Sequence, residues 1–82
     1  MKLLVRNLTR SLTDSEVSKL FAEHGTVQSC IIVKDENTKQ SKGFGFVEMP
    51  DEKEAETAIK ALNLTKVSTK VIRVKNADEK VD

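Results

Sequence analysis

The sequence predicts an α+β sandwich, in which a four-stranded antiparallel sheet carries two helices on one of its faces. Three observations predict it. Apolar and polar residues alternate in four short segments, 2–8, 27–34, 42–49 and 71–75, which is the periodicity of half-buried strands. Two further segments, 13–24 and 51–62, carry apolar residues at helical spacing behind a capping residue. The order is strand-helix-strand, twice, and right-handed crossovers then place both helices on the same side of one sheet. The chain has 82 residues, which suffices for a single domain over 1–77 followed by a polar tail over 78–82.

Each element has its own signal. In 2–8, Leu3 and Val5 face one way, while Lys2, Leu4 and Arg6 face the other. Thr13 and Glu16 form a capping box, followed by Val17, Leu20 and Phe21 as an apolar stripe. Gly25 is expected to end that helix in a left-handed conformation. Segment 27–34 is rich in β-branched residues, and 35–41 is a polar loop of the kind that joins hairpin strands. Pro50 stops the next strand. A second capping box is expected from Asp51 to Glu54, ahead of an inner helical face made of Ala55, Ala58, Ile59 and Leu62. The last strand turns Ile72 and Val74 inward.

The most informative stretch is Lys42-Gly43-Phe44-Gly45-Phe46-Val47-Glu48-Met49. On a strand, Phe44 and Phe46 share one face, and Gly45, Val47 and Met49 share the other. The helices are needed to cover the apolar face, so no chain remains to cover the aromatic one. Two rings beside Lys42, unwalled by Gly43 and Gly45, form a platform for flat anionic partners such as nucleobases on a phosphate chain. The net charge is only +1, but its distribution is uneven. The strand segments hold Lys2, Arg6, Lys34, Lys42, Arg73 and Lys75 against Glu48 alone, whereas carboxylates dominate the helices. Helix capping and lysine-decorated sheet edges also produce such a bias. A basic sheet backed by acidic helices is the reading that agrees with the rings.

The octet resembles the RNP1 pattern of the RNA-recognition motif family, K/R-G-F/Y-G/A-F-V-x-F/Y, and departs from it only at Met49. Leu3-Leu4-Val5-Arg6-Asn7-Leu8 resembles the RNP2 hexamer of that family. Phe21, Gly25, Ala55, Ala58, Ile59, Leu62, Asn63, Ile72, Val74 and Ala77 also follow its pattern. With Met1 opening onto the first strand, the chain is similar to the small stand-alone members. The resemblance implies the ferredoxin-like β-α-β-β-α-β fold and single-stranded RNA as partner. It further implies that Phe44 and Phe46 stack on base or sugar, and that Lys42 and Arg6 meet phosphates, with Lys2, Arg73 and Lys75 in reach. Main-chain groups near Asn76 and Ala77 would read a base edge. Leu4 stands where the family usually places an outward ring, which removes one of three platform rings. Leu64 and Thr69 replace two glycines of the family, so the turn before the last strand is expected to take an unusual shape.

A rival reading belongs to another class. Leu4, Ile31, Val33, Phe44, Phe46 and Val71 make an apolar surface on the expected open face, which would suit a protein partner or a homodimer. Single-stranded DNA is a further alternative ligand. An enzyme is not expected. His24 is the only histidine and sits near a helix end, the carboxylates are explained by capping, and Gly43-Phe44-Gly45 lacks the spacing of a phosphate-binding loop. No cofactor or metal site is expected. Cys30, the single cysteine, excludes an internal disulfide and a cysteine-based zinc cluster and reads as a small core residue. No apolar stretch is long enough for a membrane span or a signal-peptide core. The expected location is the cytoplasm, with the nucleus open to the chain in a eukaryote.

Overall fold

The computed structural model describes residues 1–77. The tail assigned to 78–82 lies outside the described residues. In chain order the elements are β1 (Lys2–Arg6), α1 (Asp14–Ala22), β2 (Ser29–Lys34), β3 (Ser41–Glu48), α2 (Glu52–Leu62), β4 (Lys66–Val67), β5 (Lys70–Val71) and β6 (Arg73–Asn76). Strands β2-β3-β1-β6, in that order, form an antiparallel four-stranded sheet. Among the described residues no helix is long and apolar enough to cross a membrane.

Alternation decides which face the helices cover. Leu3 and Val5 of β1, Ile32 of β2, Val47 of β3 and Val74 of β6 are all buried on one side of the sheet. Against them pack Val17 and Phe21 of α1 and Ala55, Ala58 and Leu62 of α2. Leu20 and Ile59 flank this core and remain partly exposed. Met49 is fully buried, so the thioether at the last octet position serves as core. Cys30 packs against the same cluster. Burial and the Asp14 carboxylate push its thiol up to about 11, so it stays protonated at neutral pH.

Local chemistry departs from expectation at both helices. Thr13 and Glu16 form the reciprocal capping box, with Glu16 N donating to Thr13 Oγ1 at 3.2 Å and Thr13 N to Glu16 Oε1 at 3.2 Å. The box expected at α2 is only half present. Asp51 Oδ1 accepts from the amides of Lys53 (2.8 Å) and Glu54 (3.1 Å), but Glu54 Oε1 accepts from Thr26 N at 3.1 Å instead of reaching back. Gly25 is not the left-handed cap of α1, which ends on Glu23 in a right-handed conformation. Gly25 is required for space, because a Cβ there would lie 2.5 Å from Glu54 Cβ. The same interaction thus explains a glycine at one loop and an incomplete box at another helix.

The final strand is also divided. Residues 71–75 do not form one strand, and Val71 does not lie on the sheet. Lys66 pairs with Val71 and Val67 with Lys70 in a separate two-stranded hairpin. Ile72, fully buried, marks the switch back to the sheet; its carbonyl accepts from Leu64 N at 2.8 Å and its amide donates to Thr65 O at 2.9 Å. Asn63 Oδ1 accepts from Val74 N at 2.9 Å and ties the end of α2 to β6. One of the two missing glycines has a visible consequence, since Leu64 takes a left-handed φ of 64°; in the turn before the last strand the left-handed residue is Ser68, with φ 61°, and not Thr69.

Two stability predictions follow from these positions. Leu64 is 62% exposed, so its side chain contributes little burial, while its left-handed backbone costs about 1 kcal/mol. Leu64→Gly should therefore raise the urea midpoint by the equivalent of about 0.5–1 kcal/mol at unchanged slope, and a lowered midpoint would contradict the strain. Gly45 is the reverse case. A Cβ there would lie 2.5 Å from Ile31 O and 2.9 Å from Ile32 Cα, both backbone atoms of β2. Gly45→Ala should destabilise by about 2 kcal/mol, measured in the same unfolding experiment; an unchanged midpoint would show that β2 yields freely.

Candidate nucleic-acid interface

Residues directly opposite one another on antiparallel strands point to the same face. The registers therefore assemble a row across the uncovered side of the sheet, running Ile31 of β2, Phe46 of β3, Leu4 of β1 and Lys75 of β6. Arg6 and Arg73 pair in a second row toward one end, and Lys2 pairs with Glu48 toward the other. Ile31 is the most prominent apolar side chain, 61% exposed, and Leu4 is partly buried among its neighbours.

Both rings lie on this face, each partly exposed rather than fully open to solvent. Their centroids are 6.4 Å apart and their planes meet at 86°, an edge-to-face pair. That angle constrains what can bind. A base lying flat on one ring stands perpendicular to a base lying flat on the other. The two rings therefore cannot both present a face to flat groups that lie parallel to each other. Lys2 Nζ sits 4.8 Å from the centroid of Phe46, an ammonium over the π face. A cation already rests where a stacked base would go.

At the far end of the platform the chain builds a basic recess of about 260 Å³ lined by Arg6, Asn7, Leu8, Arg10, Lys42, Gly43, Phe44 and Lys70. Among the described residues no carboxylate lines it. The local backbone explains the convergence. Asn7 leaves β1 with φ 61°, a value that asparagine tolerates, and its Nδ2 donates to Val71 O at 2.7 Å. This bond ties the β4–β5 hairpin to the end of β1 and brings Lys70 to the recess. On the other side Leu8 N donates to Gly43 O at 2.8 Å, where Gly43 has φ 85° and β3 slips in register against β2. Lys42 and Phe44 flank that distortion.

The residues expected from sequence are thus distributed as follows. Leu4, Phe46 and Lys75 share one row, Arg6 and Arg73 the next, Lys2 covers Phe46, and Lys42 and Phe44 border the recess. Asn76 is not on this face. It pairs with the buried Leu3, which directs its side chain to the helix side of the sheet. The Ala77 amide is committed to Lys2 O at 2.8 Å, so it is not available to read a base edge. Val71, expected on the open face, stands on the hairpin instead. Arg10 and Lys70 were not expected at the site. Neither lies on a strand of the main sheet, and the one signal for Lys70 is the asparagine that docks its hairpin. Among the described residues no group of three or more His, Cys, Asp or Glu is arranged to hold a metal ion.

Known proteins share this fold. The RNA recognition motif family matches residues 3–73. The chain is 39% identical over 79 residues to the chloroplastic 28 kDa ribonucleoprotein of Spinacia oleracea, covering 96% of this chain and 34% of that protein. It thus spans about a third of the length of that curated relative. The crystal structure of RNA binding protein PG1 superposes with a TM-score of 0.93 at 34% identity, covering 100% of this chain and 99% of that one. The Sxl-lethal protein/RNA complex gives 0.90 at 33% identity, covering 99% of this chain and 48% of that one. The family match takes in the aromatic octet and most of the sheet, and the chain belongs to the RNA recognition motif family.

Proposed function

We propose that the chain binds single-stranded RNA across the open face of the sheet, with Phe46 and Phe44 contacting base and sugar and the surrounding cations contacting phosphates. The observation that carries this reading is the apolar strip Ile31–Phe46–Leu4, flanked by the Phe44 ring, which no element among the described residues covers and which Lys2, Arg6, Lys42, Arg73 and Lys75 border. Apolar groups on such a face suit stacked bases, and the cations suit the chain that links them. Similarity to proteins described as RNA-binding or held in an RNA complex supports the choice of ligand.

The bound state requires one rearrangement. For a base to lie on Phe46, the Lys2 ammonium must leave that ring, and it is then placed to meet a phosphate. The exchange sacrifices about 0.5–1 kcal/mol of exposed cation–π attraction and gains stacking of about 1–3 kcal/mol per base. Two rings and three or four phosphates, set against the cost of ordering a flexible strand, correspond to a micromolar Kd, about −8 kcal/mol. Paired bases cannot lie on the rings, so duplexes bind weakly.

The apolar strip also fits the protein-docking alternative, and Ile31 is its strongest support. Cations border that strip at both ends and along β6, which favours a polyanion over an apolar partner.

Anisotropy titrations with short unstructured RNAs test the proposal. Phe46→Ala and Phe44→Ala should each weaken binding by about tenfold, the equivalent of about 1.4 kcal/mol. The slope of log K against log salt should be about −2 to −3. Unchanged affinity in both variants would reject the platform. A concentration-dependent dimer that RNA does not dissociate would favour the protein partner.

A further inference from the structure

Positive charge continues past the sheet. Arg10, in the loop between β1 and α1, lines three adjoining hollows. One is the basic recess beside Phe44. The second, about 230 Å³, lies against the β2–β3 loop and includes Lys42, Asp35, Thr38 and Gln40. The third, about 580 Å³, opens on the side of the molecule between that loop and the start of α1, and includes Lys34, Lys39, Gln40 and Leu12. The three share walls, so they form one track leading from the aromatic platform around the end of the sheet.

The chemistry of the track differs from that of the platform. No aromatic side chain lines the two outer hollows, and Leu12 is their single large apolar residue. Two carboxylates border them, and both are engaged by the fold. Asp14 Oδ1 accepts from Ile32 N at 3.2 Å, an amide of the edge strand. Asp35 Oδ1 accepts from Asn37 N at 2.8 Å and Thr38 N at 3.0 Å, and these amides hold its carboxyl below the usual range. Arg10, Lys34 and Lys39 are exposed and line the side groove. A surface with cations, polar donors and no stacking partner suits a phosphodiester backbone without its bases.

We infer that a bound strand continues from Phe44 past Arg10 into this side groove, where Lys34 and Lys39 hold backbone phosphates independently of base identity. The inference rests on the RNA-binding reading and extends its footprint. It makes affinity depend on strand length beyond what the sheet covers, with a gain that is electrostatic and blind to sequence.

The test separates backbone from base. A tetraribonucleotide pool is compared with the same pool extended at its 5′ or its 3′ end by about six abasic deoxyribose phosphates, which add charge but no base that could bind in a new register. One of the two extensions should bind about tenfold tighter than the bare pool at low salt, and its salt slope should steepen by about 1.5–2, the contribution of two to three further phosphates. Lys34→Gln with Lys39→Gln should abolish that gain and leave the bare tetramer within twofold. If neither extension adds as much as twofold, or the gain survives the double substitution, the track is rejected. Phe46→Ala on the bare tetramer reports on stacking separately, so a failed platform and a failed track give different results.

Discussion

Two helices can cover one face of a four-stranded sheet and no more, and this limit shapes the rest of the molecule. Strand alternation sends Leu3, Val5, Ile32, Val47 and Val74 toward α1 and α2. The same alternation sends Leu4, Ile31, Phe44 and Phe46 the other way, where no further element among the described residues meets them. Leaving large apolar groups in water is unfavourable, and a fold that does so at four adjacent positions retains a surface suited to a partner. The core and the site are therefore two consequences of one pattern, since the period that buries Val47 is the period that exposes Phe46.

The open face has internal structure that its composition does not convey. Gly45 lies between the two phenylalanines because the β2 backbone approaches too closely for any Cβ, which places the strand carrying Ile31 tightly beside Phe46. The rings meet edge to face, and Lys2 rests on one of them. In the unbound protein the aromatic surface is thus partly satisfied by its own residues. In the proposed complex, affinity would be a difference between that self-contact and the stacking that replaces it, which keeps the expected binding moderate.

Strand alternation and capping were readable in the sequence because each depends on residues a few positions apart. Thr13 with Glu16, Leu3 with Val5, and Phe44 with Phe46 are local pairs, and all behave as their spacing suggests. The departures come from partners distant along the chain. Glu54 leaves its own helix start for Thr26, and that contact makes Gly25 a spacing residue rather than a left-handed cap. Asn7 holds Val71, which removes Val71 from the sheet and brings Lys70 to the end of β1. The β4–β5 hairpin has strands of two residues, is preceded by a left-handed Leu64 and turns through a left-handed Ser68, neither of which signals such a backbone. The angle between the rings depends on side-chain packing, to which strand periodicity is blind.

Chemical-shift mapping of methyl and aromatic side chains during an RNA titration tests the central claim most directly. Leu4, Ile31, Phe44 and Phe46 should shift together and saturate together, while Val17 and Phe21 of α1 and Leu62 of α2 stay in place. Shifts confined to the helix layer, with the Ile31–Phe46–Leu4 row silent at saturation, would contradict it.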